Sequence, residues 1–435
     1  MTFHKLWARA LPALVVTALI ATAACNDALK VASPSRIDAN SLESPTNAKL
    51  LVTGAISDFE CAFGAYIVAG GLIGDELMDA TQTSDRWPYE ARTFTSASTR
   101  YSTADCTGLG TYSPLQTARV SADNIRRLLE SWTDAQVANR QLLLAQASAY
   151  EGYGQLLLAE GFCGTVFSHF NADKSIAYGS PITPAQALDS AITQFTEAIN
   201  AAQTAGVDSV RFMALVGRAR AKLDKGDLAG ARADAALVPA NFVYYATAST
   251  VNSRRNNRVW ADNGLGGGGS INSGSSVGPL YRNLGDPRVP VTNTGKTAGG
   301  TGIPIWVQTK YTTASSPIRL ATGDEAQLII AEADIKSNPA NTITIVDAFR
   351  AKSGGSEAPY AGATDSTSLI GAVITERRRS LFLESQHLGD YIRYNLPFNP
   401  APGSTFYGGG QYGSARCMPL PDVETASNPN MAGHP

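Results

Sequence analysis

Charged residues are scarce in this 435-residue chain: 17% are Asp, Glu, Lys or Arg, and the formal net charge is -2. Nucleic-acid binding needs clustered Lys and Arg. The basic runs Arg254-Arg255 and Arg377-Arg378-Arg379 are too short to follow a phosphate backbone. Hydrophobic residues make up 44% of the chain, which excludes intrinsic disorder. The composition therefore predicts a folded protein with a large core and no nucleic-acid partner.

Histidine is also rare, with four residues in the chain. His169, His387 and His434 are the three beyond the N-terminal segment, and they lie far apart in the sequence. None of the cysteines forms a Cys-x-x-Cys pair. Metal sites and His-based acid–base pairs need such residues in clusters. We therefore expect no metal and no cofactor.

Long apolar runs are missing except at the N-terminus. Lys5 and Arg9 precede an apolar run, Leu11 to Ala24, which is too short to span a bilayer and reads as a signal peptide over residues 1–24. Ala23-Ala24-Cys25 resembles the bacterial lipobox, which predicts acylation of Cys25, palmitate included, and a stable membrane anchor. The alternative is ordinary signal cleavage after small residues.

The four remaining cysteines are Cys61, Cys106, Cys163 and Cys417. An even number in an exported chain favours two disulfides, for which three connectivities are possible. Our hypothesis pairs Cys61 with Cys106 and Cys163 with Cys417. Isolated buried thiols are the alternative.

Helix signals dominate much of the chain. Ser44-Pro45 is expected to open a helix, and capping boxes begin at Ser113, Thr133, Thr183 and Thr322. Apolar residues then recur at helical spacing, separated by short turns, which is typical of tetratricopeptide-like hairpins. We predict a mainly α fold with helices over about 113–236 and 322–395, the last of them a single helix over about 367–393.

Two segments break this periodicity, about 60–112 and 240–320. The second is rich in Gly, Asn, Ser and Thr, and we expect long irregular loops and short strands there. Loops on a rigid scaffold commonly carry binding residues. The candidate ligand-binding residues are the large aromatics of these segments: Trp87, Tyr89, Tyr101, Trp260, Tyr281 and Trp306. The alternative is that each one fills a gap between loop and helix.

Two literal enzyme motifs lack the context that their chemistry needs. Gly274-Ser275-Ser276-Val277-Gly278 matches the nucleophile elbow, but Gly-rich sequence and Pro279 flank it instead of a strand and a helix. The run Gly264 to Gly269 matches a dinucleotide fingerprint without a βαβ unit. We therefore predict a protein that is not an enzyme and has no catalytic residues.

Charged residues near the C-terminus form a further pattern. Glu376 and Glu384 lie eight residues apart, so both can share a helix face with Arg377 to Arg379. Asp390 and Arg393 are spaced for a pair on one helix. We interpret these residues as a structural charge network that holds the C-terminal helix.

Several motifs together resemble one family. Glu325 to Asp334 is similar to its "R-x-A-E…L-x-x-A-E-A" helix, and Glu376 to Tyr394 to its "E-R-R-R-E-L-x-x-E…D-x-x-R-W" segment. Met418 to Asn430 resembles its "x-P-I-P-x-x-E…N-P-N" ending. Gly74-Asp75-Glu76 and Leu156 to Gly164 resemble upstream motifs. The family is the SusD/RagB-like outer-membrane nutrient-binding lipoproteins. Tyr394, where Trp is common, and Gly164-Thr165-Val166, in place of Gly-Asp-Val, depart from its pattern.

The resemblance implies a tether over residues 25–43 and a SusD-like domain over 44–435. It implies a lipid-anchored protein on the outer face of the outer membrane that binds oligosaccharide or peptide fragments. The implied partner is a TonB-dependent, SusC-like transporter. Two alternatives stay open: a tetratricopeptide-like scaffold lipoprotein that binds another envelope protein and no small ligand, and an exported hydrolase.

Overall fold

The computed structural model describes residues 42–266 and 274–431, and the chain divides into two units, residues 1–47 and 48–435. The described part of the first unit contains one 3₁₀ turn, Pro45–Asn47. The predicted signal peptide, Cys25 and most of the tether lie outside the described residues, as do His434 and residues 267–269 of the Gly-rich motif.

The second unit begins with α1, Ala48–Ile73, which is buried along most of its length. The segment 45–73 is long and apolar enough, by composition, to cross a membrane, and it is the only helix of the described residues that is. Its apolar residues pack inside the second unit, where Phe59, Phe63 and Tyr66 are 0–1% exposed. The prediction of an irregular segment from residue 60 is therefore wrong up to Ile73, because apolar residues on every side of this helix are covered by neighbouring elements.

Helices dominate the described residues, as the sequence predicts. After α1 they are α2 (Trp87–Ala91), α3 (Thr99–Ser102), α4 (Tyr112–Ser131), α5 (Arg140–Gly161), α6 (Pro184–Ala205), α7 (Asp208–Asp224), α8 (Leu228–Ala235), α9 (Arg258–Asn263), α10 (Gly323–Ala333), α11 (Pro339–Arg350), α12 (Ser366–Ser380), α13 (His387–Tyr394) and α14 (Asp422–Ser427).

Consecutive helices pack as hairpins. The helix α5 lies against α4 and α6, α6 against α7, α7 against α8, and α10 against α11 and α12. Connections of two to eight residues join α4 to α5, α6 to α7, α7 to α8 and α10 to α11, as in tetratricopeptide-like repeats, whereas the longer segment 162–183 joins α5 to α6. The ring of Phe195 on α6 sits so close to α7 that a Cβ atom at Gly217 would lie 2.4 Å from it, so glycine is needed at this crossing. The predicted mainly α class is confirmed.

The four capping predictions have different outcomes. Thr183 forms the predicted box with Gln186, and α6 ends at Gly206 with φ 67°. Thr322 caps α10 by accepting from the backbone N–H of Glu325. Ser113 is not a cap: α4 begins at Tyr112, and the Ser113 hydroxyl donates to the carbonyl of Ser102.

Thr133 and Gln136 do hydrogen-bond to each other, but they form a turn. The helix α5 starts later, at Arg140, after Asn139 in the left-handed region. The hydrogen bonds between Thr133 and Gln136 therefore form without a helix directly after them, because residues 134–139 turn the chain before α5 begins.

Short antiparallel strand pairs connect the helical parts. The strands are β1 (Leu77–Asp79), β2 (Thr165–Val166), β3 (His169–Phe170), β4 (Ile176–Ala177), β5 (Pro181–Ile182), β6 (Val243–Ala246), β7 (Ser275–Val277), β8 (Val291–Thr297), β9 (Pro304–Gln308) and β10 (Ile318–Thr322). The pairs are β1–β7, β2–β5, β3–β4, β6–β10 and β8–β9. Registers include Leu77 with Val277 and His169 with Ala177.

The region predicted as one helix over 367–393 is broken. Residues 381–386 separate α12 from α13, and Leu383 and Ser385 have positive φ. Glu384 therefore leaves the helix and pairs instead with Lys310 and Arg319. At this break, a buried group from another element binds the backbone: the carboxylate of Glu76 accepts a hydrogen bond from the N–H of Leu383.

The predicted charge network is confirmed, although the partners of Glu376, Arg377 and Arg379 lie on other elements. Glu376 accepts from Arg288 at 2.7 Å, and Arg379 contacts Asp286 at 3.2 Å. A second group joins α12 to α13: Arg377 pairs with Asp390 at 2.9 Å, and Asp390 pairs with Arg393 at 2.7 Å.

Candidate functional site

The three tyrosines predicted to contact ligand are structural. Tyr89, Tyr101 and Tyr281 are each 1% exposed. Tyr89 donates its hydroxyl to the carbonyl of Leu109 at 2.6 Å, and Tyr101 donates to that of Pro419 at 3.0 Å. A ring enclosed on both faces cannot stack on a sugar, so this part of the predicted site is wrong.

The three tryptophans are half-buried and lie in separate environments. The indole of Trp87 donates to the carbonyl of Thr81 and meets the ring of Phe406 edge-on. The ring of Trp306 lies under the guanidinium of Arg282 at 5.6 Å. Trp260 packs against the main core. No ring contact joins the three within residues 42–266 and 274–431, so the described residues do not show a shared aromatic platform.

The nucleophile-elbow match is a buried strand. Ser276 lies in β7 and is fully covered, and its hydroxyl donates to the carbonyl of Pro304 at 2.7 Å. His387 is enclosed near Tyr281 and Tyr391, where burial lowers its pKa to about 3. Neither residue is placed to attack or deprotonate a substrate. Within the described residues, no group of three His, Cys, Asp or Glu side chains could hold a metal ion.

A cleft of about 330 Å³ opens in a different place, between three parts of the chain. One wall is the first half of α4, the second is the hairpin segment, residues 165–182, and the third is α14. Its volume is at the lower end of the range for small-molecule sites. The lining residues are Tyr112, Ser113, Gln116, Thr117, Arg119, Val120, Val166, Ser168, His169, Phe170, Ile176, Tyr178, Val423, Glu424 and Ser427.

Four large apolar side chains at the rim of the cleft are exposed. Phe170 is 40% exposed, Ile176 47%, Tyr178 39% and Val423 42%. Exposing four large apolar side chains together costs free energy in a soluble domain, and such patches commonly mark binding sites. Phe170 and Tyr178 present aromatic faces of the kind that stack on flat ligand surfaces.

Polar groups line the floor and are held in place by one another. Arg119 donates to Gln116 Oε1 at 2.9 Å and to the carbonyl of Ser168 at 2.5 Å. Across the cleft, Glu424 accepts from the Tyr112 hydroxyl at 3.1 Å. Burial raises the pKa of Tyr112, and the nearby Glu424 carboxylate acts in the same direction. Tyr112 therefore stays a neutral hydrogen-bond donor at physiological pH.

The C-terminal tail, residues 417–431, fixes the cleft walls relative to each other. A disulfide between Cys163 and Cys417 joins the tail to the chain just before the hairpin segment, and the backbone N–H of Met418 donates to the carbonyl of Gly161. Further along, the Asn428 amide donates to the carbonyl of Gly179 at 2.9 Å and the Asn430 amide to that of Tyr178 at 2.6 Å. The N-P-N motif thus holds Tyr178 and Gly179, which connect β4 to β5.

The other two cysteines form the second disulfide, Cys61 to Cys106, so the structure has the pairing that our hypothesis favours. It joins α1 to the 3₁₀ turn Cys106–Gly108 and lies outside the cleft.

Sequence reasoning missed the cleft because it looked for ligand contacts only in segments 60–112 and 240–320. A signal was present between α5 and α6: Phe167, His169, Phe170 and Tyr178 cluster in a stretch without helical periodicity. Nothing local to that stretch indicates that α14, more than 240 residues further on, covers its other side.

Comparison with solved structures finds several with a similar fold. No family profile and no curated protein matches the sequence. A SusD superfamily protein from Bacteroides thetaiotaomicron VPI-5482 superposes with a TM-score of 0.66 at 14% identity, over 89% of this chain and 98% of that one. A SusD-like carbohydrate binding protein from Bacteroides vulgatus ATCC 8482 gives 0.63 at 15% identity, over 89% and 97%.

A laminarin binding SusD-like protein gives a TM-score of 0.64 at 14% identity, over 89% of this chain and 99% of that one. The chain therefore has the SusD-like fold, and the resemblance predicted from its motifs is confirmed at the level of the fold.

Proposed function

We propose that this protein is a non-catalytic receptor that binds oligosaccharides in the cleft. The observation that carries the proposal is the SusD-like fold over 89% of the chain, shared with a carbohydrate binding and a laminarin binding protein. At 14–15% identity the similarity extends to the fold and not to the ligand contacts. The binding site must therefore be defined by this chain's own residues.

The cleft suits a sugar chemically. Pyranose rings have C–H faces that pack on aromatic rings, and Phe170 and Tyr178 are exposed at the rim. Hydroxyl groups need both donors and acceptors, which Arg119 and Glu424 supply from opposite walls. Nothing in this arrangement activates a nucleophile, so the site would hold a ligand without cleaving it.

The proposed cellular role follows from the sequence. Cys25 would carry acyl chains that tether the domain to the outer membrane, facing outward. The ligand would pass from the cleft to a TonB-dependent, SusC-like transporter. The lipobox and the family motifs support these steps, and a peptide in place of the oligosaccharide remains compatible with them.

Binding to a panel of neutral and acidic oligosaccharides, measured by isothermal titration calorimetry, tests the proposal. We expect saturable binding by the wild type and a loss of about twofold to tenfold in affinity for Tyr178→Ala or Phe170→Ala, since one stacking contact contributes about 0.5–1.5 kcal/mol. Tyr245→Ala is the matched control, because Tyr245 is 46% exposed on β6, outside the cleft.

The tryptophan variants Trp87→Ala, Trp260→Ala and Trp306→Ala test the site that the sequence predicts. A larger loss in these than in the cleft variants would move the site away from the cleft. Absence of saturable binding to any oligosaccharide would favour the scaffold alternative, and release of shortened products from the panel would favour the hydrolase.

A further inference from the structure

Arg119 is a buried cation without a carboxylate partner, and it lines the cleft. Its residue is 4% exposed, and no described carboxylate lies within 4.0 Å of its guanidinium. Burying an unpaired charge costs several kcal/mol unless other groups compensate it. Burial accordingly lowers the pKa of Arg119.

Every other arginine buried to this degree in the described part of the chain has an acidic partner. The five pairs are Arg86–Asp262 at 2.6 Å, Arg92–Asp75 at 3.1 Å, Arg126–Glu151 at 2.7 Å, Arg220–Glu160 at 2.5 Å and Arg377–Asp390 at 2.9 Å. Arg119 is the exception, and it is also the one of the six that lines the cleft.

The guanidinium of Arg119 still has N–H groups that can donate hydrogen bonds to a ligand. Nε donates to Gln116 and Nη2 to the carbonyl of Ser168, while Nη1 donates to no described residue. The ring of Phe167 lies 5.1 Å from the guanidinium carbon and orients its plane. The carboxylates with the largest electrostatic effect on Arg119 are those of Glu151 and Asp123, and both already form ion pairs with Arg126.

From this geometry we infer that the cleft selects oligosaccharides that carry a carboxylate, with Arg119 as the group that binds it. A planar guanidinium with unused donors matches a carboxylate better than it matches a neutral hydroxyl. The sugar ring then packs against Phe170 and Tyr178. This inference rests on the proposed function and narrows its ligand to acidic sugars.

Among the described residues, Glu424 is the one acidic side chain that lines the cleft, and its charge repels an anionic ligand. Its oxygens accept from Tyr112 and Asn428, which hold it on the α14 wall. The carboxylate of the ligand must therefore lie on the Arg119 side. Removing the Glu424 charge should strengthen binding of an acidic sugar relative to binding of the corresponding neutral one.

The decisive comparison uses the wild-type protein and pairs of ligands. Oligomers of galacturonic, glucuronic and mannuronic acid are titrated beside the same oligomers with their carboxyl groups reduced to alcohols. We expect at least one acidic oligomer to bind about tenfold more tightly than its reduced form at low salt. That preference should shrink as ionic strength rises.

Two variants test which residues cause the preference for the acidic oligomer over its reduced form. Glu424→Gln keeps the acceptor and should raise affinity for the acidic oligomer by about threefold to tenfold. Arg119→Gln should abolish the acidic preference, so that the acidic oligomer and its reduced form bind with equal affinity, with thermal denaturation as the check on folding. Arg127→Gln is the matched control, because Arg127 is half exposed on the same helix and does not line the cleft.

The outcomes separate the two proposals. Reduced oligomers that bind as tightly as the acidic ones would overturn the carboxylate inference and leave the receptor function standing. Absence of binding by every oligomer would overturn both. An acidic peptide that binds more tightly than every oligosaccharide would overturn the sugar assignment. A Glu424→Gln variant with unchanged affinity for the acidic oligomer would place the carboxylate outside the cleft.

Discussion

Asp75 and Glu76 carry carboxylates into the core just after α1. Glu76 is 2% exposed and accepts a hydrogen bond from the backbone N–H of Leu383 at 2.9 Å. Asp75 pairs with Arg92 and accepts from the Tyr391 hydroxyl. Burial raises the pKa of Glu76 to about 8 and that of Asp75 to about 6. Gly74-Asp75-Glu76, one of the motifs that carry the family resemblance, therefore joins the end of α1 to α13 and to the segment before it.

Replacing Glu76 with Gln should make the protein more stable at pH 8. The folded-state pKa of Glu76 lies above its ordinary value of 4.5, so the folded state binds more protons, and the stability linked to this group falls as pH rises from about 4.5 to about 8. Glu76→Gln mimics the protonated form and avoids that loss. We expect a gain on the order of 2 kcal/mol at pH 8 and almost none at pH 4, measured by urea denaturation.

Glu130→Gln is the control for this experiment, because Glu130 is 45% exposed and pairs with Arg126 on one helix. Its effect should stay below about 1 kcal/mol at both pH values. Equal stability of Glu76→Gln and the wild type at pH 8 would mean that Glu76 is ionised at little cost in the fold.

At the scale of elements, the hairpin segment and the C-terminal tail depend on each other. The strand pairs in residues 165–182 are two residues long, too short to be stable alone. The tail supplies the Cys163–Cys417 disulfide and the two asparagine amides that hold this segment. The cleft exists only while both elements are docked.

The double variant Cys163→Ser, Cys417→Ser should weaken ligand binding in the cleft. Without the disulfide, a link across 254 residues of sequence, the tail gains freedom and α14 no longer has a fixed place opposite α4. We expect a stability loss of about 2–5 kcal/mol and a fall in affinity of about tenfold or more, measured by denaturation and calorimetry.

Cys61→Ser with Cys106→Ser is the matched control, because this disulfide fastens α1 to a turn outside the cleft. It should lower stability without lowering affinity in conditions where the fold persists. Equal affinity losses in the two double variants would show that the tail has no specific part in binding.

At the scale of the whole molecule, the proposed role requires that the helical domain is fixed to a membrane. The lipobox-like sequence ending at Cys25 is the feature that predicts this attachment. Acyl chains contribute about 0.8 kcal/mol for each buried CH₂ group, so several chains hold a protein stably.

Cys25→Ser should release the protein from the outer membrane, because serine cannot receive the thioether-linked lipid. Fractionation of cells that express each form should find the wild type with the outer membrane and the variant in soluble fractions. From solubilised membranes, the wild type should copurify with a large β-barrel transporter. Ser35→Ala, in the predicted tether, is the control and should remain attached.

A Cys25→Ser variant that stays with the membrane fraction would contradict the prediction of a lipid anchor at Cys25. Wild-type protein that is recovered from the outer membrane without any barrel protein would overturn the partner while leaving the anchor in place.

Sequence patterns predicted the architecture well and the exposure of the candidate aromatic residues poorly. Helical spacing and the Thr183 and Thr322 caps are local, so they predict where helices form wherever those helices later pack. Exposure of an aromatic ring depends on distant neighbours. Tyr101 looks like a loop residue in the sequence, yet the carbonyl of Pro419 covers its hydroxyl from more than 300 residues away.

The amino-acid sequence by itself determined the mainly α class, the resemblance to SusD-like proteins and the expectation of an exported chain, because periodicity, caps and short motifs are written in neighbouring residues. Only the tertiary structure decided which aromatic residues face solvent and which arginine lacks an acidic partner. The cleft is assembled from α4, the hairpin segment and α14, which are separate along the chain, and its properties arise when folding brings them together.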